Sequence, residues 1–540
     1  MMEKHWIAIL LLSGLFIKAN SNSGDIATTL TAPSSCGTGL AFDGKYLWSV
    51  DRKTDLIYQT DPSDGHIIRE LVSPGYFSTG LAWDGTHLWV SDIDFVSTTT
   101  ESYSGKIYRI DPETGHTLHA IGSPGASPQG LAWDGTYLWV SDNEEDMIYR
   151  ISHRDGTIIS SFPSPATEPG GLAWDGAYLW VTDRARDQIY RVHPEKGIVV
   201  MMIDTPGPYA WGLAWQGDRL WNTDYQNDEV YALEIYGDRK YRRKNERYAE
   251  VEFTSDLINF GPGTLTVLER YIAEPADRAS QEIIDVTYSE EPDGFKEDRW
   301  GQKVAFFRES GVPAGERIIT RMKVKGRFYE TTYCLFPEQV GSLDEIPEEI
   351  TAKYLQDDEK YQLDHPVVRK IVRKITENET NPYWISRNIF DYLREHLVYK
   401  RIGGWDIAPT VLKRGSGSCS EYAFAYIALC RAAGIPARYA GAVVVRGEEA
   451  SFDYVYHRWV EVYLPGYEWI PVDPSRGDKE LRADQANFFG HLSNQYLITT
   501  AGGGGSEYLG WDYNSSQRWE ADGPVQIREE RIAEWNPVTE

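Results

Sequence analysis

A cysteine, a histidine and an aspartate in the last third of the 540-residue chain have the types and spacing that nucleophilic chemistry requires. Cys419 follows the small residues GSGS and precedes the run SEYAFAYIALCRAAG, which predicts a helix that starts at the thiol and is closed by Gly434. The helix dipole favours a thiolate over a thiol at that position. Cys419 is therefore a candidate nucleophile, although a single cysteine in such a place is more often structural.

His457 and Asp473 belong to two predicted strands, YVYHRWVEVYL and YEWIPVDPS, which a short turn at Pro465 and Gly466 connects. His457 lies eight residues before Pro465 and Asp473 lies seven after Gly466, so we expect the two side chains side by side. A carboxylate keeps an imidazole in the orientation that lets it take a proton from a thiol and return one to a leaving amine. A pair that serves only the stability of the fold is the alternative.

Helical periodicity begins near Ile346 and leads up to the thiol. The segments PVVRKIVRKITE and PYWISRNIFDYLREHL carry apolar residues three and four apart, which predicts amphipathic helices. Cys430 lies 11 residues, about three helical turns, after Cys419, and we expect it to face the core. The predicted helix thus offers one thiol for chemistry and one for packing.

The motifs GSCSEYAFAYIALCRAAGIPAR and HRWVEVYLPGYEWIPVDPS resemble those of the transglutaminase-like superfamily, the circularly rearranged relatives of papain-type cysteine proteases. The resemblance covers roughly residues 381–475 and implies an α+β, papain-like catalytic domain within residues 346–540. It also implies that Cys419, His457 and Asp473 form a catalytic triad. No cofactor and no metal ion are expected, because no cluster of metal ligands with a recognisable spacing is present.

The stretch WDIAPTVLKRGSGSC resembles the one in which transglutaminases carry a tryptophan whose indole N–H helps to hold the oxyanion. Trp405 falls at the corresponding place, so the resemblance implies that it is an oxyanion donor; a tryptophan that caps the core is the alternative. The backbone N–H of Cys419 is the other expected donor.

A thirteen-residue phrase that is typically GLAWDGTYLWVSD occurs five times in the first half of the chain, at intervals of 41, 50, 41 and 41 residues. Its copies begin at Gly39, Gly80, Gly130, Gly171 and Gly212. Each unit reads as four short strands separated by DG or DP turns, and four strands at this period are typical of a propeller blade. The long interval is interpreted as a loop insertion of nine residues between Asp92 and Ile107.

The fifth unit ends at EVYALEI and lacks a fourth strand, whereas the segment DIATTLTAP near the N-terminus has no unit of its own. Ile26 precedes Gly39 by 13 residues, just as Ile67 precedes Gly80 by 13, so the spare segment is expected to be the outer strand of the last blade. The sequence therefore predicts a closed five-bladed propeller over residues 24–236, similar to propellers of the NHL and SMP-30 type.

Repeated side chains in the propeller invite a functional interpretation. Asp51, Asp92, Asp142, Asp183 and Asp224 occur once per blade and could surround a cation, but an aspartate at a strand end more often accepts hydrogen bonds from its own turn. Four tryptophans could likewise stack on sugars, although aromatic residues in blades mostly fill the space between sheets. These are Trp83, Trp133, Trp174 and Trp215. A protein or glycan ligand is therefore an open expectation for the propeller.

Residues 237–345 are predicted to contain a linker and an immunoglobulin-like β-sandwich. The basic segment YGDRKYRRKNERY reads as a polar linker that makes the two halves of the chain separable, and alternating strand patterns follow it. This middle region carries no catalytic constellation. Cys334 lies in the strand-like TYCLF and is expected to be a buried thiol.

Composition limits the classes of function. Hydrophobic residues at 41% and aromatic residues at 13% exclude a disordered chain, and four cysteines are too few for a disulfide framework. A net charge of −27 argues against nucleic acid and anionic lipid as partners. Residues 1–23 resemble a signal peptide, and no later run approaches the ~18 apolar residues of a membrane span, so a secreted or periplasmic protein is expected.

Two functions from different classes remain. The first is a secreted cysteine enzyme that forms an acyl intermediate from a peptide bond or a glutamine amide of a protein or peptide substrate, and passes the acyl group to water or to an amine. The second is a secreted binding or scaffold protein in which the thiol domain is inert. The presence of cysteine, histidine and aspartate together favours the enzyme.

Overall fold

A computed structural model describes residues 21–97, 102–401, 405–447 and 451–538. The predicted signal peptide, residues 1–23, falls almost wholly outside the described residues, so it remains a prediction. Among the helices of the described ranges, none combines the length and the apolar character that crossing a membrane requires.

Residues 26–234 form five antiparallel sheets of four strands each. The strands are β1 Ile26–Thr31, β2 Gly37–Phe42, β3 Leu47–Asp51, β4 Leu56–Thr60, β5 Ile67–Val72, β6 Ser78–Trp83, β7 Leu88–Ser97, β8 Ser102–Ile110, β9 Thr117–Gly122, β10 Pro128–Trp133, β11 Leu138–Asp142, β12 Met147–Ile151, β13 Ile158–Pro163, β14 Pro169–Trp174, β15 Leu179–Asp183, β16 Gln188–Val192, β17 Val199–Asp204, β18 Ala210–Gln216, β19 Arg219–Asp224 and β20 Glu229–Glu234. Blades 1 to 4 are β2–β5, β6–β9, β10–β13 and β14–β17, and blade 5 has the order β1-β20-β19-β18.

The N-terminal strand closes the ring as the sequence predicted. Strand β1 pairs antiparallel with β20, with Thr29 opposite Tyr231 and Leu30 opposite Val230. The nine-residue insertion lengthens a hairpin of blade 2, because β7 and β8 continue to pair as far as Ser97. The longer interval in the repeat is therefore an extended hairpin within one blade.

The recurring residues of the repeat hold each blade together. The tryptophan of every LW pair is fully buried, and in blade 2 the Nε1 of Trp89 donates to Oδ2 of Asp84 at 2.9 Å. The other oxygen of Asp84 accepts the backbone N–H of His87 at 2.7 Å, so one carboxylate fixes both the DG turn and the tryptophan. The tryptophans that end the first strands pack between blades: Trp174 stacks on Trp139 at 6.5 Å between ring centres. This packing supports the interpretation of these aromatic residues as space-filling.

A β-sandwich follows the propeller directly. Its strands are β21 Tyr241–Pro262, β22 Leu265–Ala273, β23 Gln281–Tyr288, β24 Gly294–Glu297, β25 Lys303–Glu309 and β26 Arg317–Tyr333. The segment predicted as a linker differs from that prediction, because β21 begins at Tyr241 and pairs with β26 from Tyr241 opposite Tyr333 onwards. The apolar face of this long strand, which includes Val251 and Phe253, explains why it is held in a sheet.

The remaining residues form the thiol domain and complete the sandwich. Short 3₁₀ turns lie at Pro337–Gln339 and Leu343–Glu345. The helices and strands are α1 Glu348–Tyr354, α2 Pro366–Thr376, α3 Pro382–His396, β27 Val398–Tyr399, α4 Ala408–Arg414, β28 Ser416–Gly417, α5 Cys419–Ala432, β29 Ala437–Val444, β30 Ser451–Asp453, β31 His457–Leu464, β32 Glu468–Val472, α6 Arg482–Ala486, β33 His491–Leu492, β34 Tyr496–Gly502, β35 Ser515–Ala521 and β36 Val525–Pro537.

Three sheets organise this part of the molecule. The thiol domain packs the buried helix α5 against a sheet of order β32-β31-β29-β34. The sandwich consists of β23-β26-β21-β36-β30, with β33 beside β26, and of β24-β25-β22-β35. The predicted boundaries assigned residues 515–537 to the catalytic domain, whereas β35 and β36 pair with β22 and β21. Trp535 on β36 is fully buried in the sandwich core, which is why the chain returns there.

Blade 4 packs directly on the thiol domain. Tyr178 and Ile198 of this blade share a hydrophobic core with α2, α3 and α5. The fully buried Arg191 pairs with Asp175 of its own blade at 2.7 Å and with Glu338 at 2.8 Å. Because the propeller contributes to this core, the expectation of two freely separable halves is corrected: the basic segment is a strand, and the halves share a packed interface.

Candidate active site

Cys419 is the first residue of α5 and its thiol is half-buried. Gly415 ends α4 in the left-handed conformation, with φ of 71°, and Ser418 then adopts an extended backbone as the N-cap of α5. The backbone N–H of Ser418 donates to Oε2 of Glu421 at 2.8 Å, which fixes the turn before the thiol. The glycine-containing approach and the cap therefore place Cys419 at the helix N-terminus, as the sequence predicted.

His457 is the first residue of β31, and Asp473 directly follows β32. The strands pair with Val460 opposite Val472, so Asp473 lies opposite Trp459, two residues from the register that the sequence predicted. A three-residue turn instead of the expected two-residue one accounts for one residue of this shift, because Leu464 pairs with Glu468, and the unequal distances of eight and seven residues from the turn account for the other. Positions two apart share a face of a sheet, so the two side chains still meet, with Nε2 of His457 2.6 Å from Oδ2 of Asp473.

The ring nitrogen of His457 that does not face Asp473 is left to interact with the thiol. The pKa values of His457 and Cys419 are shifted by each other. Burial by itself lowers the pKa of His457, but the charge and hydrogen bond of Asp473, together with Cys419, raise it to about 9. Burial raises the pKa of the Cys419 thiol, yet the hydrogen bond and charge of His457 outweigh this effect, and the net pKa lies below the usual value. The arrangement therefore favours a thiolate beside an imidazolium.

The carboxylate and the backbone N–H of Asp473 are fixed by several hydrogen bonds. Burial alone raises its pKa, but the opposing charge and hydrogen bond of His457 bring the net pKa below its usual value. Its Oδ1 accepts the hydroxyl of Ser475 at 2.7 Å and the backbone N–H of Arg476 at 3.3 Å. Its own backbone N–H donates to the carbonyl of Phe488 at 2.9 Å. These contacts direct the remaining oxygen of the carboxylate at the imidazole.

Trp405 lies beside this site in a left-handed backbone conformation, with φ of 45°. Its ring is 6.4 Å from that of Tyr513 and 5.1 Å from the guanidinium of Arg458. Arg458 lowers the pKa of the Cys419 thiol, and burial and the charge of Cys419 both raise the pKa of Tyr513. The structure thus brings Trp405 into the neighbourhood of the thiol. Its role as an oxyanion donor stays a prediction.

Glu421 is a buried carboxylate that sequence reasoning missed. Besides the N–H of Ser418, it accepts the backbone N–H of Asp406 at 3.1 Å and Nη2 of Arg414 at 2.8 Å. It therefore ties the start of α5 to helix α4 and to the residue after Trp405. The available signal was the S-x-x-E capping pattern from Ser418 to Glu421.

Arg458 is the second residue that sequence reasoning missed. Its side chain is fully buried among the rings of Trp405, Phe424, Tyr439 and Tyr513, with distances of 4.3 to 5.2 Å from guanidinium carbon to ring centre. Its backbone N–H and its charge both lower the pKa of the Cys419 thiol. The signal was a cation inside an apolar strand, next to the candidate histidine.

The other thiols lie outside this site. Cys430 is fully buried on α5, and burial raises its pKa well above the usual value. Cys334 is also buried, beside the propeller, and burial raises its pKa. Cys36 is a free thiol in the propeller, near the hydroxyl of Tyr225. Within the described ranges, no three histidine, cysteine or acidic side chains lie close enough together to hold a metal ion.

Comparison with known proteins adds the family of this region. Residues 369–474 match the Transglutaminase-like superfamily. The uncharacterized protein YebA of Bacillus subtilis (strain 168) is 26% identical over 128 residues, which are 20% of this chain and 17% of YebA. The match thus spans about a sixth of the length of that relative.

Solved structures of several kinds are similar to parts of the chain. A candidate cysteine protease from Cytophaga hutchinsonii covers 55% of this chain and 100% of its own, at 15% identity and a TM-score of 0.38. A glutaminyl cyclase from Myxococcus xanthus covers 39% of this chain and 97% of its own, at 14% identity and a TM-score of 0.34. A virginiamycin B lyase from Staphylococcus aureus covers 38% of this chain and 68% of its own, at 21% identity and a TM-score of 0.26.

The fold and the family match define the class of this protein. It combines a β-propeller and a β-sandwich with a transglutaminase-like domain, and the matched segment contains Cys419, His457 and Asp473.

Proposed function

We propose that the protein is a secreted cysteine acyl-transfer enzyme that acts on a peptide bond or a glutamine amide of a protein or peptide substrate. The observation that carries the proposal is the coupled set of Cys419, His457 and Asp473, in which the pKa of the thiol is lowered and that of the imidazole is raised. A thiolate and an imidazolium at neutral pH are the two species that the first chemical step requires.

In the first step the Cys419 thiolate attacks the carbonyl carbon, and the carbonyl electron pair moves to the oxygen. The backbone N–H of Cys419, at the start of a helix, and the indole N–H of Trp405 are the proposed donors to that oxyanion. The C–N bond then breaks as the His457 imidazolium gives its proton to the leaving amine. Asp473 keeps the ring oriented throughout.

In the second step the acyl group leaves Cys419. Neutral His457 takes a proton from an attacking water or amine, the new bond to the carbonyl carbon forms, and the C–S bond breaks. The thiolate and the imidazolium are thereby restored. Water gives a carboxylic acid and an amine acceptor gives a new amide, so the same residues support hydrolysis and transamidation.

Trapping the acyl-enzyme tests the proposal. The full chain is incubated with an activated acyl donor, a p-nitrophenyl ester of an N-acetylated peptide, and the modified residue is located by mass spectrometry of its peptides. We expect one acyl group on Cys419, no acyl-enzyme in Cys419→Ala, and normal acylation in the matched control Cys430→Ala on the same helix. Equal acylation of Cys419→Ala and of the unmodified chain would overturn the proposal.

A further inference from the structure

A cavity of about 400 Å³ lies where blade 4, the sandwich and the thiol domain meet. Its walls are formed by side chains of all three units. The propeller contributes Asp204, the sandwich Lys244 and Glu330, and the thiol domain Asp473, Arg476 and Asn487. The cavity thus reaches Asp473 of the proposed triad, and its size is within the range of about 300–1,000 Å³ that is usual for ligand sites.

The carboxylates that line the cavity are already engaged. Both oxygens of Asp204 lie 3.1 Å from Nζ of Lys244, and Glu330 lies 3.2 Å from the same ammonium. Asp473 accepts from His457 and Ser475. Little acceptor capacity is therefore left in these walls for a ligand.

The guanidinium of Arg476 has no counter-charge in the cavity. Its Nη1 donates to the hydroxyl of Tyr496 at 2.6 Å, and no carboxylate of the described ranges lies within ion-pair distance of this guanidinium. A half-buried cation without a carboxylate partner is costly, so a ligand that supplies carboxylate oxygens would be stabilised here.

We propose that this cavity binds a carboxylate of the acyl donor, so that the preferred substrate is an acidic peptide. The inference rests on the proposed acyl-transfer function and names its substrate class. Arg476 is the principal contact: its backbone N–H bonds Asp473 at 3.3 Å, and its Nη1 bonds the hydroxyl of Tyr496, whose ring lies 6.1 Å from that of His457. A guanidinium is suited to a planar carboxylate, which it can bind through two parallel hydrogen bonds.

The proposal also gives the propeller a part in the site. Strand β17 of blade 4 supplies Met202, Ile203 and Asp204 to the cavity wall. Helix α6, which follows Asp473 in the chain, is fixed on the same blade by the pair of Arg186 with Asp484 at 2.6 Å. Blade 4 therefore both closes the carboxylate site and holds the segment from which Arg476 comes.

Matched thiol probes test the substrate class. Four tetrapeptide vinyl sulfones, each with glutamate at a different position, are compared with four counterparts in which glutamine replaces that glutamate. The Cys419 thiolate adds to the vinyl carbon β to the sulfone of either probe, and the carbon bonded to the sulfone takes a proton from His457. The second-order rate of labelling is measured on the full chain by intact mass, with iodoacetamide as a probe that has no peptide.

At one position or more, we expect the glutamate probe to label at least about 10-fold faster than its glutamine counterpart, since a guanidinium forms stronger hydrogen bonds with a charged carboxylate than with a neutral amide. Arg476→Met should bring this ratio to about one, and its iodoacetamide rate reports separately how reactive the thiol of this variant is. Asn487→Asp, which adds a carboxylate to the cavity wall, should lower the ratio as well. The exposed Arg154 of the propeller gives the control, Arg154→Met, which should keep it.

Equal rates for all glutamate and glutamine pairs in the unmodified chain would overturn the inference, as would a ratio that survives both Arg476→Met and Asn487→Asp. A chain in which iodoacetamide fails to label Cys419 would instead refute the proposed function. The two failures are therefore distinguishable.

Discussion

Asp142, which ends a strand of the propeller, and Asp473, which directly follows β32, bind the turn after their strand in the same way. Their second carboxylate oxygens bind different partners. In blade 3, Oδ1 of Asp142 accepts the backbone N–H groups of residues 144 and 145, at 3.1 and 3.0 Å. In the thiol domain, Oδ1 of Asp473 accepts those of Ser475 and Arg476, at 3.1 and 3.3 Å. Both carboxylates thus cap the turn that follows their strand.

The second oxygen separates the two cases. Oδ2 of Asp142 accepts the backbone N–H of Ser127 at 2.8 Å, so this carboxylate holds two loops of a blade together. Oδ2 of Asp473 faces His457 at 2.6 Å. In related blade positions burial raises the pKa of Asp183, whereas the imidazolium brings that of Asp473 below its usual value despite burial. The turn fixes the position of each aspartate, and the group that faces its second oxygen determines whether the carboxylate holds two loops together or orients an imidazole.

The largest expected effect comes from removing each kind of aspartate in turn. Asp473→Ala should lower the rate of acyl transfer by about 10²–10⁴-fold, the usual contribution of positioned acid–base groups, because the imidazole loses its orientation and its charge partner. Asp142→Ala should leave that rate unchanged and instead lower the free energy of unfolding by about 1–3 kcal/mol, through unpaired N–H groups. Both quantities are measured on both variants, by acyl-enzyme formation and by urea denaturation. A reversed pattern would remove the distinction between the two aspartates.

A smaller effect is expected at Glu421, whose carboxylate joins the start of α5 to the segment of Trp405 and Asp406. In Glu421→Gln the amide offers one acceptor oxygen in place of two, so acyl transfer should fall by about 10-fold as the oxyanion donor shifts. Alkylation by iodoacetamide forms no oxyanion and should keep its rate.

Glu345→Gln is the matched control for this prediction, because Glu345 makes the same contact with the backbone N–H of Ser342, at 2.9 Å, in a turn outside the active site. It should leave both rates unchanged. An equal loss of acylation and alkylation in Glu421→Gln would show that the carboxylate serves the thiol rather than the oxyanion.

The propeller could be predicted almost completely from the sequence because its rules are local and repeated. The period of the phrase and the 13-residue offset from Ile26 to Gly39 were sufficient to assign β1 to blade 5, as the pairing with Tyr231 and Val230 confirms. The cores of blades 1 to 3 consist mainly of residues within one unit or its neighbour, whereas blade 4 also packs on the thiol domain. The return of β36 to the sandwich could not be predicted in this way, because Trp535 is buried by strands more than 200 residues earlier.

The same difference between local patterns and contacts of distant segments applies to the candidate site. The positions of Cys419, His457 and Asp473 followed from a helix start and one hairpin, which are local patterns, and only the register was wrong by two residues. Arg458 and Arg476 were missed because their importance depends on rings and walls that distant segments supply, such as Tyr513 and Tyr496. A basic segment with polar composition was interpreted as a linker, since its pairing with β26 is set by residues about 90 positions away.

The pH dependence of Cys419 alkylation tests the central claim most directly. The rate of iodoacetamide labelling at Cys419 is followed by peptide mass spectrometry in the unmodified chain and in His457→Gln. Because the thiol pKa is lowered, labelling should persist below the ordinary thiol pKa of about 8.5. Because the pKa of His457 is raised to about 9, the profile should change again near pH 9 as the imidazolium loses its proton. In His457→Gln the lower transition should move up, since burial then acts on the thiol without the opposing charge. A single transition at or above pH 8.5 that is the same in both proteins would contradict the account.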